Sequence, residues 1–323
     1  MLSRVADSLY WMSRYLERVD HVTRLIDVHL TIVPEQSTEA AHRRRSRLVT
    51  SLVGEKYPVD AITSDFELAA LLTFDEDNPN SIARCIASAR ENARPVREQI
   101  NSQMWEQINQ MYLYIQNSSM ADIWVGEPHQ FYHRINQDVY RFQGITDSRV
   151  SRDQGWHFIQ LGKYIERAAE TADALNVDFR DLYRASLAVD AVDQNTYLEW
   201  VGLLRGCAAY EAYSKVYTAN VQPNSIVEFL ILNPEFPYSV RFAINAIQKS
   251  LDAIGVATET PKSARVYRLA GRLRATLDYA QVEEIMESGL GSSLLEIQNR
   301  CAEIHDIIYQ TYIAYTYSDR VAK

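Results

Sequence analysis

Turn-forming residues are scarce in this chain, with 11 glycines and 9 prolines among 323 residues. Alternating polar and apolar runs are also few, which leaves little room for strands and favours an all-helical protein. Cysteine is scarcer still. Cys85, Cys207 and Cys301 are odd in number and lack metal-ligand spacing, which predicts a reduced, cytoplasmic setting rather than a disulfide framework. No apolar run approaches the roughly 20 residues of a membrane span, and the charges at Arg4, Asp7 and Arg14 speak against a secretory leader. The net charge of −9 argues against nonspecific binding to nucleic acid or an anionic membrane. Gly289-Leu-Gly291 lacks the lysine and the preceding strand of a phosphate cradle. No Ser-His-Asp, Cys-His or Cys-x-x-Cys arrangement stands out, and neither a cofactor nor a metal is expected. What remains is an ordinary soluble composition, 47% apolar and 23% charged, with an unusual 20 tyrosines suited to wide helix contacts or a polar-rimmed groove.

The strongest positive feature is a stretch that occurs twice. Ser8-Leu-Tyr-Trp-Met-Ser-Arg-Tyr-Leu-Glu-Arg18 returns as Gly155-Trp-His-Phe-Ile-Gln-Leu-Gly-Lys-Tyr-Ile-Glu-Arg167. At one constant offset Tyr15, Glu17 and Arg18 map onto Tyr164, Glu166 and Arg167, and Arg14 onto Lys163. The apolar register repeats as well: Leu9, Met12, Leu16, Val19, Thr23 and Ile26 match Phe158, Leu161, Ile165, Ala168, Ala172 and Leu175. Both follow the 3-4 spacing of a helical seam. Trp11, Tyr15, Val22 and Leu25 add a second apolar strip to the first copy, so that helix is expected at the centre of the fold.

Taken in order, Ser3 is expected to cap a helix over Arg4–Ile32, stopped by Pro34. Helices follow at Thr38–Leu52, Asp65–Leu72 and Ser81–Ala93. Pro95 then starts or kinks one reaching Gln116, and another spans Pro128–Phe142. In the second half the repeated helix is expected to end by Asn176. Later helices are placed at Gln194–Cys207, Ala208–Ala219, Pro261–Met286 and Ser292–Tyr317. A second landmark is also duplicated. Leu71-Leu-Thr-Phe-Asp-Glu-Asp-Asn-Pro-Asn-Ser-Ile82 is echoed by Phe229-Leu-Ile-Leu-Asn-Pro-Glu-Phe-Pro-Tyr-Ser-Val240, at a slightly longer offset that an insertion explains. Two landmarks in the same order predict two tandemly duplicated helical bundles, residues 1–149 and 150–323, packed about a pseudo-two-fold axis as one globular unit.

Adjacent helix positions diverge by about 100°, so Glu17 cannot face Arg18. Buried charges need partners. A reciprocal lock, Glu17 with Arg167 and Glu166 with Arg18, satisfies that rule without any ligand. The other reading has Arg18, Arg167, Tyr15, Tyr164 and Arg4 lining a polar cleft for an anionic or peptidic ligand. Glu17 and Glu166 are the catalytic candidates in that case, as general bases. Arg90, Arg94 and Arg97 form a secondary anion stripe if Pro95 does not break the helix. His129 and His133 have zinc-helix spacing but lack the intervening glutamate and a third ligand. The basic run His42–Arg47 reads as a solvated face or a dock for an acidic partner.

Leu2-Ser-Arg-Val-Ala-Asp-Ser-Leu-Tyr-Trp-Met-Ser-Arg-Tyr-Leu-Glu-Arg18, with Ala89-Arg-Glu-Asn-Ala-Arg94, Trp105-Glu106 and the later Ile-Glu-Arg167, resembles the bacterial Alpha-E family across essentially the whole chain. The resemblance implies an all-helical domain with a repeated Glu-Arg motif and an uncharacterised function. It also implies company: such proteins occur beside, or fused to, circularly permuted ATP-grasp ligases and transglutaminase-like proteins. Two functions follow as expectations. One is a non-catalytic binding or scaffold protein, with a peptide as candidate ligand, acting with an ATP-grasp ligase in peptide synthesis or modification. The other is an enzyme in its own right, a peptide ligase, hydrolase or transferase using the duplicated Glu-Arg pairs.

Overall fold

A computed structural model describes residues 1–54, 57–58, 61–187, 194–218, 220–259 and 264–314. Every regular element among them is helical. In chain order these are α1 (Ser3–Ile32), α2 (Thr38–Leu52), α3 (Asp65–Thr73), α4 (Ile82–Ala93), α5 (Ser102–Gln116), α6 (Met120–Val125) and α7 (Pro128–Arg149). They continue as α8 (Gln154–Leu187), α9 (Gln194–Gly206), α10 (Tyr210–Tyr217), α11 (Pro223–Leu232) and α12 (Val240–Thr258). Last come α13 (Arg265–Tyr279), α14 (Val282–Ser288) and α15 (Leu290–Ile308), with a π-helical turn over Tyr309–Ile313.

The two repeated helices, α1 and α8, lie against each other at the centre. Their seams explain why. Leu9, Met12, Leu16, Val19 and Ile26 of α1 are buried, as are Phe158, Leu161, Ile165, Ala168, Ala172 and Leu175 of α8. Burial of such side chains stabilises by roughly 1.5–3 kcal/mol each for the larger ones. The approach is close because Gly162 meets Ser13. A Cβ on Gly162 would stand 2.2 Å from both the Ser13 hydroxyl and the Tyr10 carbonyl, so no side chain fits there. Around this pair, α4 and α7 cover α1 while α12 and α15 cover α8. α5 bridges α4 and α7, and α13 bridges α12 and α15. α9 reaches across to α1, and α2 to α8.

Several boundaries differ from expectation for local reasons. Ser3 is already helical, and Leu2 occupies the cap position with no side-chain cap bond. α7 runs through Gly144 to Arg149, since a lone interior glycine costs only about 1 kcal/mol and Thr146 beyond it is still buried. α8 continues past Asn176 because Phe179 and Leu182 remain buried, Phe179 with its ring 5.4 Å from Trp200 of α9. Pro95 sits in a 3-10 turn (Arg94–Val96), and α5 begins only after an Asn101 cap. The expected Pro261–Met286 helix is two helices, divided where Gln281 and Glu284 form a capping box for α14. Its start at Pro261, like the ends expected at Ala219 and Tyr317, lies outside the described residues. α6 and α11 are helices that periodicity left unassigned, and α12 is marked in the sequence only by the aliphatic Val240 at its start.

Candidate functional site

Glu17, Arg18, Glu166 and Arg167 meet where α1 crosses α8, and each glutamate is bound by the arginine of the other helix. Arg167 donates from Nε to Glu17, with side chains 3% and 2% exposed. Arg18 donates from Nε to Glu166 at 2.7 Å and adds a bond from Nη2, and its side chain is 20% exposed. Arg14, mapped in the sequence onto Lys163, binds the second oxygen of Glu166 at 2.6 Å. Burial acts to raise the Glu166 pKa, but Arg14 and Arg18 together outweigh it and hold the carboxyl below its ordinary value. The same attraction overcomes the burial of Arg18 and Arg167 and holds both guanidiniums firmly charged.

The surroundings of the two pairs diverge. Beside Arg167, the Tyr238 ring centroid lies 3.8 Å from the guanidinium carbon, and the Pro237 carbonyl accepts from Nη1 at 3.2 Å. Tyr238 donates its hydroxyl proton to Asp20 at 3.0 Å, and Asp20 pairs with Arg24. Gln143 links Glu17 to Lys163. The adjoining cavity, lined by Glu17, Gln143 and Lys163, holds about 20 Å³, room for roughly one water. Beside Arg18 stands Asn80, which accepts from Nη1 at 2.9 Å. There a cleft of about 310 Å³ opens, lined by Arg18, His21, Asn80, Glu166, Glu170 and Asp173 among others.

Three groups in this cleft carry unusual titration behaviour. Burial, then the charge of Arg24, pushes His21 down to about 3, so its imidazole is neutral. Burial, reinforced by the neighbouring Glu166 and Glu17 carboxylates, pushes Glu170 well above the carboxylate range. Burial also raises Asp173, although Ser51 and Gln298 donate to it.

The remaining sequence candidates lie apart or are otherwise engaged. Tyr15 packs on Trp11 and lies near Arg18, with its ring centroid 5.8 Å from the guanidinium carbon. Tyr164 packs near Phe242 and Arg167. Arg4 is exposed at the start of α1, about 21 Å along the helix from Arg18 at 1.5 Å per residue, and does not join the cluster. The helix carrying Arg90 ends at Ala93 and a 3-10 turn holds Pro95, so the Arg90–Arg94–Arg97 run is not one continuous helix, and Arg90 and Arg94 both pair with Glu91. Arg90 also donates to Asn109 at 2.8 Å and lies over Tyr112, while Arg94 and Arg97 are exposed. His129 pairs with Asp27, and His133 contacts Gln137. No group of three His, Cys, Asp or Glu side chains among the described residues is arranged to hold a metal. The basic run is not a solvated face throughout: Arg44 and Arg47 are buried, Arg44 on Glu199 and Arg47 on both Glu199 and Asp178. The three cysteines are buried and free, and burial pushes each thiol up to about 12, far from a nucleophile's range.

The sequence reading missed Arg14, His21, Asn80, Glu170 and Asp173. Two of them carried a signal. Arg14 is basic in both copies, and Asn80 is the variable residue of the duplicated Pro-x-Ser landmark, where the second copy has Tyr238.

The model of the family that the opening motif resembles, described as a predicted alpha-helical domain with a conserved ER motif, matches residues 1–313. Among curated proteins, the chain is similar to uncharacterized proteins of Mycobacterium bovis and of Mycobacterium tuberculosis strain CDC 1551, each 21% identical over 339 residues. A protein of Mycobacterium tuberculosis strain H37Rv is 20% identical. Each comparison covers 96% of this chain and 37% of the relative, so the chain spans well under half the length of these relatives. No solved structure matches it. No helix among the described residues is long and apolar enough to cross a membrane.

Proposed function

The chain belongs to the Alpha-E family, and from that premise we propose that it is a non-catalytic binding protein. It acts with an ATP-grasp ligase, and with a transglutaminase-like protein where one is present, in peptide synthesis or modification. One observation carries the binding role. Both glutamates of the repeated motif are held by arginines, while a 310 Å³ cleft opens beside only one of the two pairs. A carboxylate bound by two guanidiniums is a poor general base, because accepting a proton means giving up both ion pairs. Glu166 is in that position. Its role is then to fix Arg18 at the cleft wall. The chain has no phosphate-binding loop, so ATP chemistry falls to a partner.

The duplication supports the same reading. The matched order of contacts around α1 and α8, and the reciprocal ion pairs, are what two helical bundles related by a pseudo-two-fold axis produce. A duplicated scaffold can keep one copy of a site for stability and open the other for binding.

The second reading is an enzyme in its own right, favoured by Glu170, whose raised pKa suits a general acid. The test is to assay the purified chain with ATP, magnesium and peptide mixtures, with and without the candidate ligase, and to measure co-purification of the two. The binding reading expects complex formation and no turnover by the chain alone. ATP turnover that persists in ligase-free protein and is lost in a folded Glu170→Gln variant would establish the enzyme instead.

A further inference from the structure

We propose that the cleft beside Arg18 and Glu166 binds a primary ammonium group, seated among His21, Glu170 and Asp173. The inference rests on the reading of that cleft as a binding site and names the chemistry it takes. Glu170 and Asp173 stand three residues apart on α8 and so share a face, while His21 approaches from α1. His21 is 5% exposed, lines the cleft and makes no hydrogen bond among the described residues, and its ring nitrogens are not sealed from the cleft. Glu170 likewise has no hydrogen bond or ion pair among the described residues. Asp173 is oriented by Ser51 and Gln298, one donor on each oxygen, and a carboxylate keeps further lone pairs for a third.

The cleft therefore offers acceptors from three side chains and no spare cation. Arg18 is committed, with Nε and Nη2 on Glu166 and Nη1 on Asn80. An ammonium brings three N–H donors and one positive charge, which matches the acceptors in number. The charged groups facing Glu170 are Glu166 and Glu17, which favour its protonated form, and Arg18 and Arg24, which oppose it. Asp173 faces Asp178, and His21 faces Arg24, Arg18, Asp20 and Glu166. A bound cation tips this balance toward the Glu170 carboxylate, so binding releases a proton. A metal ion fits less well, since no metal-ligating group of three is formed among the described residues.

The source of the ammonium is decided by titration calorimetry on the whole chain with three probes. These are n-butylamine for a free amine, Nα-acetyl-lysine N-methylamide for a lysine side chain, and glycylglycinamide for a peptide amino terminus. Methylguanidine and inorganic phosphate serve as the contrasting cation and anion. At least one amine is expected to saturate the protein with a dissociation constant of about 1 mM or lower. Its heat should vary with buffer ionisation enthalpy as proton release requires. Glu170→Gln, isosteric and checked for an intact melting transition, should weaken that binding at least ~10-fold, and Asp173→Asn is the second variant. The proposal is overturned if no amine saturates by about 10 mM. It is also overturned if both variants bind as the wild type does, or if phosphate or methylguanidine binds more tightly than every amine. Failure of the ligase to co-purify leaves these outcomes unaffected, so the two readings fail separately.

Discussion

The Arg167–Glu17 pair and the Arg18–Glu166 pair share one motif and one crossing of helices, yet one adjoins a cavity of about 20 Å³ and the other borders a cleft of about 310 Å³. The difference lies in the residues beside them. Tyr238 lies against Arg167 and reaches Asp20, so aromatic and charged groups fill the space. At the matching sequence positions on the other side stand Asn80 and Ala169, both smaller. Removing a ring and a carboxylate leaves volume, and the remaining polar residues, His21, Glu170 and Asp173, face it. The same ion pair thus has two consequences. Sealed, it contributes stability and register; beside a void, it becomes one wall of a cleft, the binding site proposed above.

The largest expected effect comes from breaking the sealed pair. Arg167→Ala leaves the Glu17 carboxylate buried without its main partner, which costs about 3–5 kcal/mol. Arg18→Ala should cost about 1–3 kcal/mol, because Glu166 keeps Arg14 and the cleft admits water. Urea denaturation of both variants measures the gap, and equal losses would remove the distinction between the two sides. Combining Glu17→Arg with Arg167→Glu should recover part of the first loss.

Next is the crossing itself. Gly162→Ala places a methyl 2.2 Å from the Tyr10 carbonyl, a backbone atom that cannot swing aside. Overpacking of this kind costs about 1–3 kcal/mol. It should loosen both pairs together, visible as faster amide exchange on either side of the crossing. A neutral melting temperature would mean that α1 and α8 stand further apart.

How much of this could be read from sequence divides along the same line. The 3-4 seams and duplicated charges make the central helices legible, and the cost of unpaired buried charge makes reciprocal pairing the economical arrangement. α2 is read at its observed bounds because Gly54 and Pro58 follow its end, and the structure adds a Ser37 cap at its start. The cleft is not legible, because it arises from what Asn80 and Ala169 lack, and absent volume has no periodicity. Arg44 and Arg47 mislead for a related reason. A basic run looks solvated until Glu199 and Asp178, far along the chain, arrive to bury it.

Exchanging the divergent residues sharpens the comparison further. Asn80→Tyr should fill the open side and abolish amine binding. Losing the Asn80 bonds to Arg18 and the Leu52 carbonyl costs about 1–2 kcal/mol. Tyr238→Asn should open the sealed side, with a similar or larger loss of stability. Calorimetry and a crystal structure of each variant check both claims. An Asn80→Tyr protein that still binds amine at wild-type strength would show that the cleft is not the seat of binding.

The smallest effect concerns Glu170, and its sign separates a binding site from a structural network. Burial and the nearby Glu166 and Glu17 carboxylates raise its folded pKa above the unfolded value of about 4.3. Above that value the unfolded chain gives up its proton more readily than the folded one, so the native state loses stability as pH rises. Glu170→Gln removes the penalty. The variant should therefore match the wild type near pH 4 and melt at a higher temperature at pH 7 to 8, with the gap opening through the intervening range. Asp173→Asn should follow the same direction less strongly, since Ser51 and Gln298 already stabilise its carboxylate. A residue kept at a cost to stability is what a binding site contains before its ligand arrives, and saturating amine should narrow the gap by stabilising the wild type alone. If Glu170→Gln instead lowers the melting temperature at every pH, the Glu170 carboxylate supports the fold, and the open side differs from the sealed one in volume only.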